Sequence, residues 1–462
     1  MEERNTQQDR EDKGEKEQSP NCNTFKTKLL SLASRSKQIH NEPLRNLMHL
    51  VDKEWLYQSW KSLRKGATHG IDAVNAAIYA ENLDSNLERL LYRMRAGQYV
   101  APPVRRVYIP KGSGKKRGLG IPTIEDKIVQ NAINYLVQWV FEQEFLPTSY
   151  GFRPNKSPLQ AIEAVKVTIA KRKVSWVLDV DIASFFDNMD HEWLIKFVSH
   201  RIRDKRVLKY IQCWLKAGVI EDGKLIRTSN GSPQGGVISP TLANIYLHYV
   251  IDLWVKKSAS KTIKGEMYNF RYADDLLFCL QCKDQAIKFK SMLEVRLQKF
   301  GLSLNLEKSK LCRFGRFAKA NSQIHKERRS TFTFLGFTVY NGISRQGKYK
   351  VGCRTESRRL SASMNRVTKW CQEYKHQAIA WQARYLNAVL RGHYNYYRVT
   401  GNYPSISSFY RHVVEIWHRY LSRRSQRGYI QWDKYRDIIK RYGLIKPYLP
   451  HSVLYNYCQF SC

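Results

Sequence analysis

The chain has 462 residues, of which 43% are hydrophobic and 12% aromatic, enough for a large core and two or three domains. Its formal net charge of +38 predicts a polyanionic partner, the alternative being a basic protein that is merely well solvated. Nucleic acid is favoured over a membrane because aromatic residues are interleaved with basic ones and no apolar run approaches the roughly 20 residues of a membrane span.

The N-terminal part is predicted to begin with a disordered tail over residues 1–25, which are polar and nearly free of apolar side chains. Apolar residues then recur at helical spacing from Phe25 to about Leu63. No signal-peptide core is present at this end, so we expect a cytoplasmic protein. Past Pro102-Pro103, the segment Val104–Pro110 is expected to be extended.

Mixed elements fill the middle of the chain. Thr123 is expected to cap a helix, with Asp126 completing a capping box. Four strand-like runs are separated by helical stretches, at residues 175–182, 268–272, 276–280 and 331–340. Strands and helices without regular alternation favour an α+β sheet domain. After about Gly352 the pattern becomes helical and basic, which predicts a separate helical domain.

Two acidic sites interrupt these apolar strands. Asp274 and Asp275 lie between two apolar runs, a pattern that predicts a hairpin presenting carboxylates at its turn. Asp179 and Asp181 interrupt another hydrophobic strand. If the strands share a sheet, their acids can converge on Mg²⁺, which prefers oxygen ligands and leaves sites for substrate phosphates. Period-two alternation places Asp179 and Asp181 on one face, so spacing alone does not choose between them.

A glycine-rich loop, residues 231–238, leads into a helix. Ser239 suits the N-cap position and Pro240 the first helical position. A purely structural turn is the alternative interpretation of this loop.

Together these motifs resemble those of reverse transcriptases. Tyr272–Asp275 is similar to their Y-x-D-D box, and residues 233–235 to their P-Q-G motif. In that family the metal-binding aspartate of the other strand precedes an aromatic residue by five positions, which selects Asp181 and leaves Asp179 a supporting role. The resemblance implies catalysis by Asp181, Asp274 and Asp275. It also implies two Mg²⁺ ions, with Mn²⁺ as a substitute, bound by these three residues and Ile182.

Further matching segments imply substrate contacts. Residues 109–122 resemble the fingers motif that grips the triphosphate, residues 304–308 the segment after the palm hairpin, and residues 334–337 the primer grip. Lysine and arginine in the fingers suit phosphate. Phe186 would exclude a ribose 2′-hydroxyl, and Lys308 would protonate the leaving pyrophosphate or be a solvated lysine. The substrate-binding residues implied in this way are Lys111, Arg117, Phe185, Phe186, Gln234 and Lys308.

The C-terminal part resembles the maturase region of group II intron-encoded proteins at residues 390–397 and 417–427. Arginines and tyrosines on helices can hold phosphates and stack on bases. The alternative is an ordinary aromatic-rich helical bundle. The predicted nucleic-acid-binding residues are Arg153, Arg391, Tyr394, Tyr397, Arg423 and Arg424. The expected partners are group II intron RNA, an RNA template, a DNA primer or target and dNTPs, with no membrane; the oligomeric state stays open.

The resemblance implies a right-hand polymerase of the α+β class with a helical thumb. The chain is expected to divide into five parts. A disordered tail covers residues 1–25, the N-terminal extension and the start of the fingers cover 26–100, and the fingers and palm cover 101–345. The thumb or maturase (X) domain covers 346–428, and a short basic DNA-binding segment without an H-N-H endonuclease covers 429–462. The implied function is reverse transcription during retrohoming, together with splicing assistance. The alternatives are a splicing-only maturase, or a reverse transcriptase recruited to phage defence or a diversity-generating element.

The cysteines are not expected to form a disulfide framework. Nine are scattered along the chain, and the odd number argues for a reducing compartment. Cys279 and Cys282 have no second pair at zinc-site spacing and are interpreted as core. Cys458 and Cys462 have only His451 nearby, too few ligands for a metal site.

Overall fold

A computed structural model of the chain describes residues 22–39, 42–110, 116–221, 224–226, 231, 235–316, 330–344 and 346–448. Sixteen α-helices are present within these ranges. They are α1 Cys22–Gln38, α2 Lys53–Lys61, α3 Ala76–Glu81, α4 Leu83–Arg95, α5 Ile124–Phe141, α6 Pro158–Lys171, α7 Phe185–Asn188, α8 His191–Ser199, α9 Lys205–Lys216, α10 Ser239–Leu247, α11 Ser260–Thr262, α12 Lys283–Gln298, α13 Ser357–Glu373, α14 Ile379–Tyr397, α15 Tyr403–Leu421 and α16 Trp432–Tyr442. Two π-helical turns, His248–Asp252 and Val255–Ala259, lie between α10 and α11.

The strands form three sheets. They are β1 Val104–Pro110, β2 Lys116–Ile121, β3 Trp176–Val180, β4 Val219–Glu221, β5 Lys224–Ile226, β6 Met267–Tyr272, β7 Asp275–Leu280, β8 Lys310–Arg313, β9 Thr331–Phe334, β10 Phe337–Ile343 and β11 Tyr349–Thr355. Their orders are β2-β1-β4-β5, β6-β7-β3-β8 and β11-β10-β9. The mixture of helices and sheets agrees with the predicted α+β class.

The sheet β6-β7-β3-β8 is buried on both faces. Successive strand residues point to opposite sides, so Leu178 and Leu276 enter the core that contains α5 and α12. Val177 and Leu277 enter a second core, formed with α6 and the C-terminal helices α13–α16. Burial on both faces explains why these strands are continuous apolar runs, and why a carboxylate on them is informative.

Several local predictions agree with the structure. Strand β1 has the predicted bounds, and the helical spacing predicted up to about Leu63 ends with α2 at Lys61. The long strand predicted at 331–340 is instead two strands, because Leu335 and Gly336 adopt positive φ and turn the chain into a hairpin. At the N-terminus, α1 begins at Cys22, inside the stretch predicted to be a disordered tail; residues 1–21 lie outside the described residues.

Two helix starts differ from the prediction. The Thr123 side chain accepts the bond from the Asp126 amide, but the Asp126 carboxylate turns inward and does not complete a capping box. It accepts bonds from the side chains of Tyr99, Trp214 and Gln130 instead. Helix α10 includes the predicted cap residue Ser239 and has Ile238 at its N-cap. Among the described residues, none of the helices has the length and apolarity that a bilayer span would need.

Candidate functional site

Strand pairing brings the predicted aspartates together. Strands β3 and β7 are antiparallel, and their last pair joins Val180 to Leu276. The next residue along β3 is Asp181, and the preceding residue on the other strand is Asp275, so the two carboxylates leave the same end of adjacent strands. Asp274 lies beside them in the two-residue turn between β6 and β7. The structure therefore gathers the three residues singled out by the motif comparison.

The electrostatics of this cluster are those of crowded carboxylates. Burial and the charges of Asp274 and Asp181 raise the pKa of Asp275 to about 6, against the opposing charges of Arg359 and Lys308. Although the Asp275 side chain opens to solvent, the surrounding protein still penalises its charge. Such a cluster favours a bound cation that would offset the repulsion.

Asp179 lies one step deeper on the same face, paired with Leu277 on one side and Lys310 on the other. Burial, together with the charges of Asp275 and Asp181, raises the pKa of Asp179 to about 7. The deeper position agrees with the supporting role expected for Asp179.

The segment after α12 holds Asp181 in place. The Asn305 amide donates to the Asp181 carbonyl at 2.8 Å, and the Asp181 amide donates to Ser309 Oγ at 3.2 Å. Lys308 Nζ lies 3.2 Å from Asp181 Oδ2 on an exposed turn. Lys308 is therefore part of the site rather than a lysine without a partner, and its ammonium faces the carboxylate cluster.

The hairpin turn is supported by residues that the sequence did not identify. Ala273 adopts φ of 57°, a conformation that is costly for a residue with a side chain and needs surrounding support. Gly151 packs directly against it: a Cβ on Gly151 would lie 2.9 Å from the Tyr272 carbonyl carbon and 3.1 Å from Ala273 Cα. The sequence motifs do not indicate that Gly151 and Ala273 meet in space.

The predicted steric gate stands next to the glycine-rich loop. Phe185 is buried, Phe186 is half-buried, and their ring centroids are 5.2 Å apart. A Cβ on Gly231 would meet the Phe186 carbonyl at 2.9 Å, so only glycine fits this approach of the loop. Gln234 itself lies outside the described residues.

On the fingers-like sheet, Arg117 is exposed on β2, opposite Ile109 of β1. Lys111, the residue that follows β1 in the sequence, lies outside the described residues. The structure therefore describes only the arginine of the pair that was predicted to grip the triphosphate.

The C-terminal helices contribute to the same site. Arg359, in the first turn of α13, is close enough to Asp275 to oppose the rise in its pKa. Arg359 also packs on Gly336 of the β9–β10 hairpin, and the Tyr396 hydroxyl donates to the Leu335 carbonyl at 3.1 Å. The basic composition of this region predicted charge, but not which arginine would approach the aspartates.

Three predicted nucleic-acid-binding residues are buried. Arg153 forms a bidentate ion pair with Glu142 and donates to two backbone carbonyls, which fixes it inside the protein. Tyr394 is fully buried, and its hydroxyl donates to the Ile445 carbonyl at 3.1 Å. Tyr397 is buried in the same core. These side chains do not present a surface on which a base or phosphate could bind.

Other predicted contact residues face solvent. Arg391 on α14 and Arg423 after α15 are exposed. Arg424 is half-buried and donates to the Gln377 carbonyl at 2.8 Å, so part of its guanidinium is engaged by the fold.

Cys279 is buried on β7 as predicted, but Cys282 is exposed before α12, so the prediction that both cysteines lie in the core is wrong for Cys282. Burial also raises the pKa of the Cys279 thiol, as expected for a core residue. Cys458, Cys462 and His451 lie outside the described residues.

In the described ranges, no three Asp, Glu, His or Cys side chains form a ready-made metal cage. Mg²⁺ commonly uses only one or two carboxylates, with waters and substrate phosphates completing its shell. The oxygen donors of the cluster and their crowded charge fit such an ion.

Residues 109–339 match the protein family described as reverse transcriptase (RNA-dependent DNA polymerase). Protein YkfC of Escherichia coli (strain K12) is 31% identical over 389 residues, which cover 76% of this chain and 94% of YkfC. Group II intron-encoded protein LtrA of Lactococcus lactis subsp. cremoris is 37% identical over 205 residues, 43% of this chain and 33% of LtrA. Nuclear intron maturase 1, mitochondrial, of Arabidopsis thaliana is 24% identical over 129 residues, 26% of this chain and 18% of that protein.

Proposed function

The chain belongs to the reverse transcriptase family of group II intron-encoded proteins and is an RNA-directed DNA polymerase, and we propose that it copies intron RNA into DNA by target-primed synthesis during retrohoming. The observation that carries the proposal is that Asp181 and Asp275 lie at the same end of the paired strands β3 and β7, beside Asp274, in a sheet whose surroundings are apolar. A charged cluster in that position is costly unless cations compensate it. Templated nucleotide addition is a reaction that uses such compensation.

The metal site is assigned to Asp181, Asp274 and Asp275, with the backbone at Ile182. When bound, two Mg²⁺ ions activate the primer 3′-hydroxyl and stabilise the leaving pyrophosphate. The chain's contribution is to orient the carboxylates and to offset part of their repulsion: Asn305 and Ser309 fix the Asp181 backbone, and Lys308 keeps a positive charge near the cluster.

The remaining substrate contacts are those that the resemblance to reverse transcriptases implies. Arg117 and Lys111 would bind the triphosphate as a planar fork and a point charge. Phe186, together with Phe185 behind it, would exclude a 2′-hydroxyl by steric contact and so favour dNTPs. Gln234 would pack near the incoming nucleotide.

A second activity, assistance of intron splicing, is favoured by the exposed basic face of the C-terminal helices. Arg391 and Arg423 point to solvent and would bind phosphates of folded RNA. We assign residues 346–428 to the thumb or maturase domain on this basis. RNA affinity should then fall with salt by about 0.7–0.9 log units per log unit of salt for each neutralised phosphate.

Primer extension on an RNA template with dNTPs and Mg²⁺ tests the polymerase proposal. The wild type should produce long cDNA, and Asp274→Ala should produce none because the carboxylate cluster is incomplete. The same variant should still assist splicing of a group II intron RNA, since splicing assistance uses the basic face. Wild-type RNA binding without any cDNA would instead favour a maturase that has lost its polymerase chemistry.

A further inference from the structure

A buried charged network extends from α10 to the turn that carries Asp274. Arg271, the second residue before the turn, is 0% exposed, and so is its partner Asp252 in the π-helical turn after α10. The two side chains form a bidentate ion pair, with Nη2–Oδ2 at 2.6 Å and Nε–Oδ1 at 3.0 Å. Burial raises the pKa of the Asp252 carboxyl, but Arg271 and the neighbouring His248 together outweigh this and hold that pKa below its usual range. The Asp252 carboxylate therefore stays ionised inside the protein.

The remaining donors of Arg271 reach the turn and its support. Nη1 donates to the Ala273 carbonyl at 3.3 Å and to Asn244 Oδ1 at 2.7 Å. Asn244 in turn donates from Nδ2 to the Gly151 carbonyl at 2.7 Å, and Gly151 packs against the Ala273 backbone. The network thus holds the turn backbone from both sides.

Stability alone does not explain this arrangement. Replacing a buried ion pair by apolar residues of similar volume is often neutral or stabilising, so a core of this size does not need the charges. The planar guanidinium fork instead fixes directions, because its donors point at set angles to Asp252, Asn244 and Ala273. Direction is what a turn requires if its carboxylate must be placed accurately for the reaction.

We propose that Arg271, Asp252 and Asn244 are positioning residues that set the orientation of the Asp274–Asp275 turn for nucleotide transfer. None of them touches the substrate; each acts through the turn backbone. The inference rests on the proposed polymerase function and concerns how its hairpin is held.

The first test separates positioning from stability. Arg271→Met or Asp252→Leu alone leaves a buried charge unpaired and should lower both Tm and kcat. The double variant Arg271→Met/Asp252→Leu should recover most of the Tm while kcat for single-nucleotide addition stays about 100-fold below wild type. Binding of a primer–template duplex in EDTA should be unchanged. A double variant that regains kcat along with Tm would overturn the proposal.

A milder variant keeps the test decisive if the double variant does not fold. Asn244→Ala removes the bridge between Arg271 and Gly151, and it should lower kcat at least tenfold without changing primer–template affinity. Asn131→Ala is the matched control, because the buried Asn131 amide donates to the Ser59 carbonyl and Ser62 Oγ, away from the hairpin. Equal kcat losses in the two variants, at equal losses of Tm, would assign Asn244 a structural role only.

Wild-type extension is measured beside every variant. Failure of the wild type to extend any primer would count against the proposed function. An active wild type with fully active variants would count against the positioning role alone.

Discussion

Gly151→Ala is the sharpest single test of the hairpin geometry. The added methyl group would overlap the backbone of the turn, at 2.9 Å from the Tyr272 carbonyl carbon and 3.1 Å from Ala273 Cα. Real Cβ atoms rarely approach backbone this closely, and backbone cannot rotate away as a side chain can. The turn that carries Asp274 must therefore shift.

The expected magnitude follows from two known costs. Forcing one extra carbon into a well-packed site destabilises a protein by about 1–3 kcal/mol. A displacement of about 1 Å at reacting groups lowers the rate by about 100-fold. We therefore expect a folded variant with a modestly lower Tm, and a kcat for nucleotide addition reduced by about two orders of magnitude.

Single-nucleotide addition and thermal unfolding measure the two effects separately. Gly392→Ala is the matched control, because nothing lies within 4 Å of a Cβ at that position in α14. Removing a helical glycine there should stabilise the fold by up to about 1 kcal/mol and leave kcat unchanged. If Gly151→Ala retains wild-type kcat, the turn tolerates displacement and the reasoning about its rigid support is refuted.

Three other predictions concern charge. In the folded protein the pKa of Asp179 is about 7, whereas in the unfolded chain it is about 4. The free energy of unfolding of the metal-free protein should therefore fall as pH rises between these values. Urea unfolding in EDTA measures this fall, and Asp179→Asn should make it shallower. Arg359→Ala should raise the pKa of Asp275 and move the acid limb of the pH–kcat profile upward, whereas the neighbouring Arg358→Ala should leave the limb in place. Arg153→Ala should cost about 3 kcal/mol of unfolding free energy, the lower end of the range for a buried pair, because the partner Glu142 is 20% exposed. RNA affinity per folded molecule should be unchanged; a wild-type Tm with weakened RNA binding would return Arg153 to the RNA surface.

Local chemistry allowed much of the site to be predicted from the chain. Continuous apolar runs located the strands of the central sheet, and acids within such runs are costly enough to indicate a function. Spacing did not decide whether Asp179 or Asp181 binds the metal, and the resemblance to the family motif selected Asp181. The structure adds the register of β3 and β7, which brings Asp181 to the same end of the sheet as Asp275 and places Asp179 further along β3 into the sheet.

Burial was the property that the sequence could not assign. An arginine or tyrosine suits a phosphate or a base at the surface, and it equally suits an ion pair or a carbonyl in the interior. Arg153 and Tyr394 took the second role because α5 and the C-terminal helices enclose them, and only the packing of those elements decides this.

By itself, the sequence determined the α+β class, the strands that meet at the acidic turn, and the residue types that can bind metal and phosphate. These follow from periodicity and charge, which act between neighbours along the chain. The tertiary structure decided which distant residues meet: Asp252 with Arg271, Gly151 with Ala273, and Arg359 with the aspartates. Such contacts depend on how whole elements pack, and no local pattern carries that information.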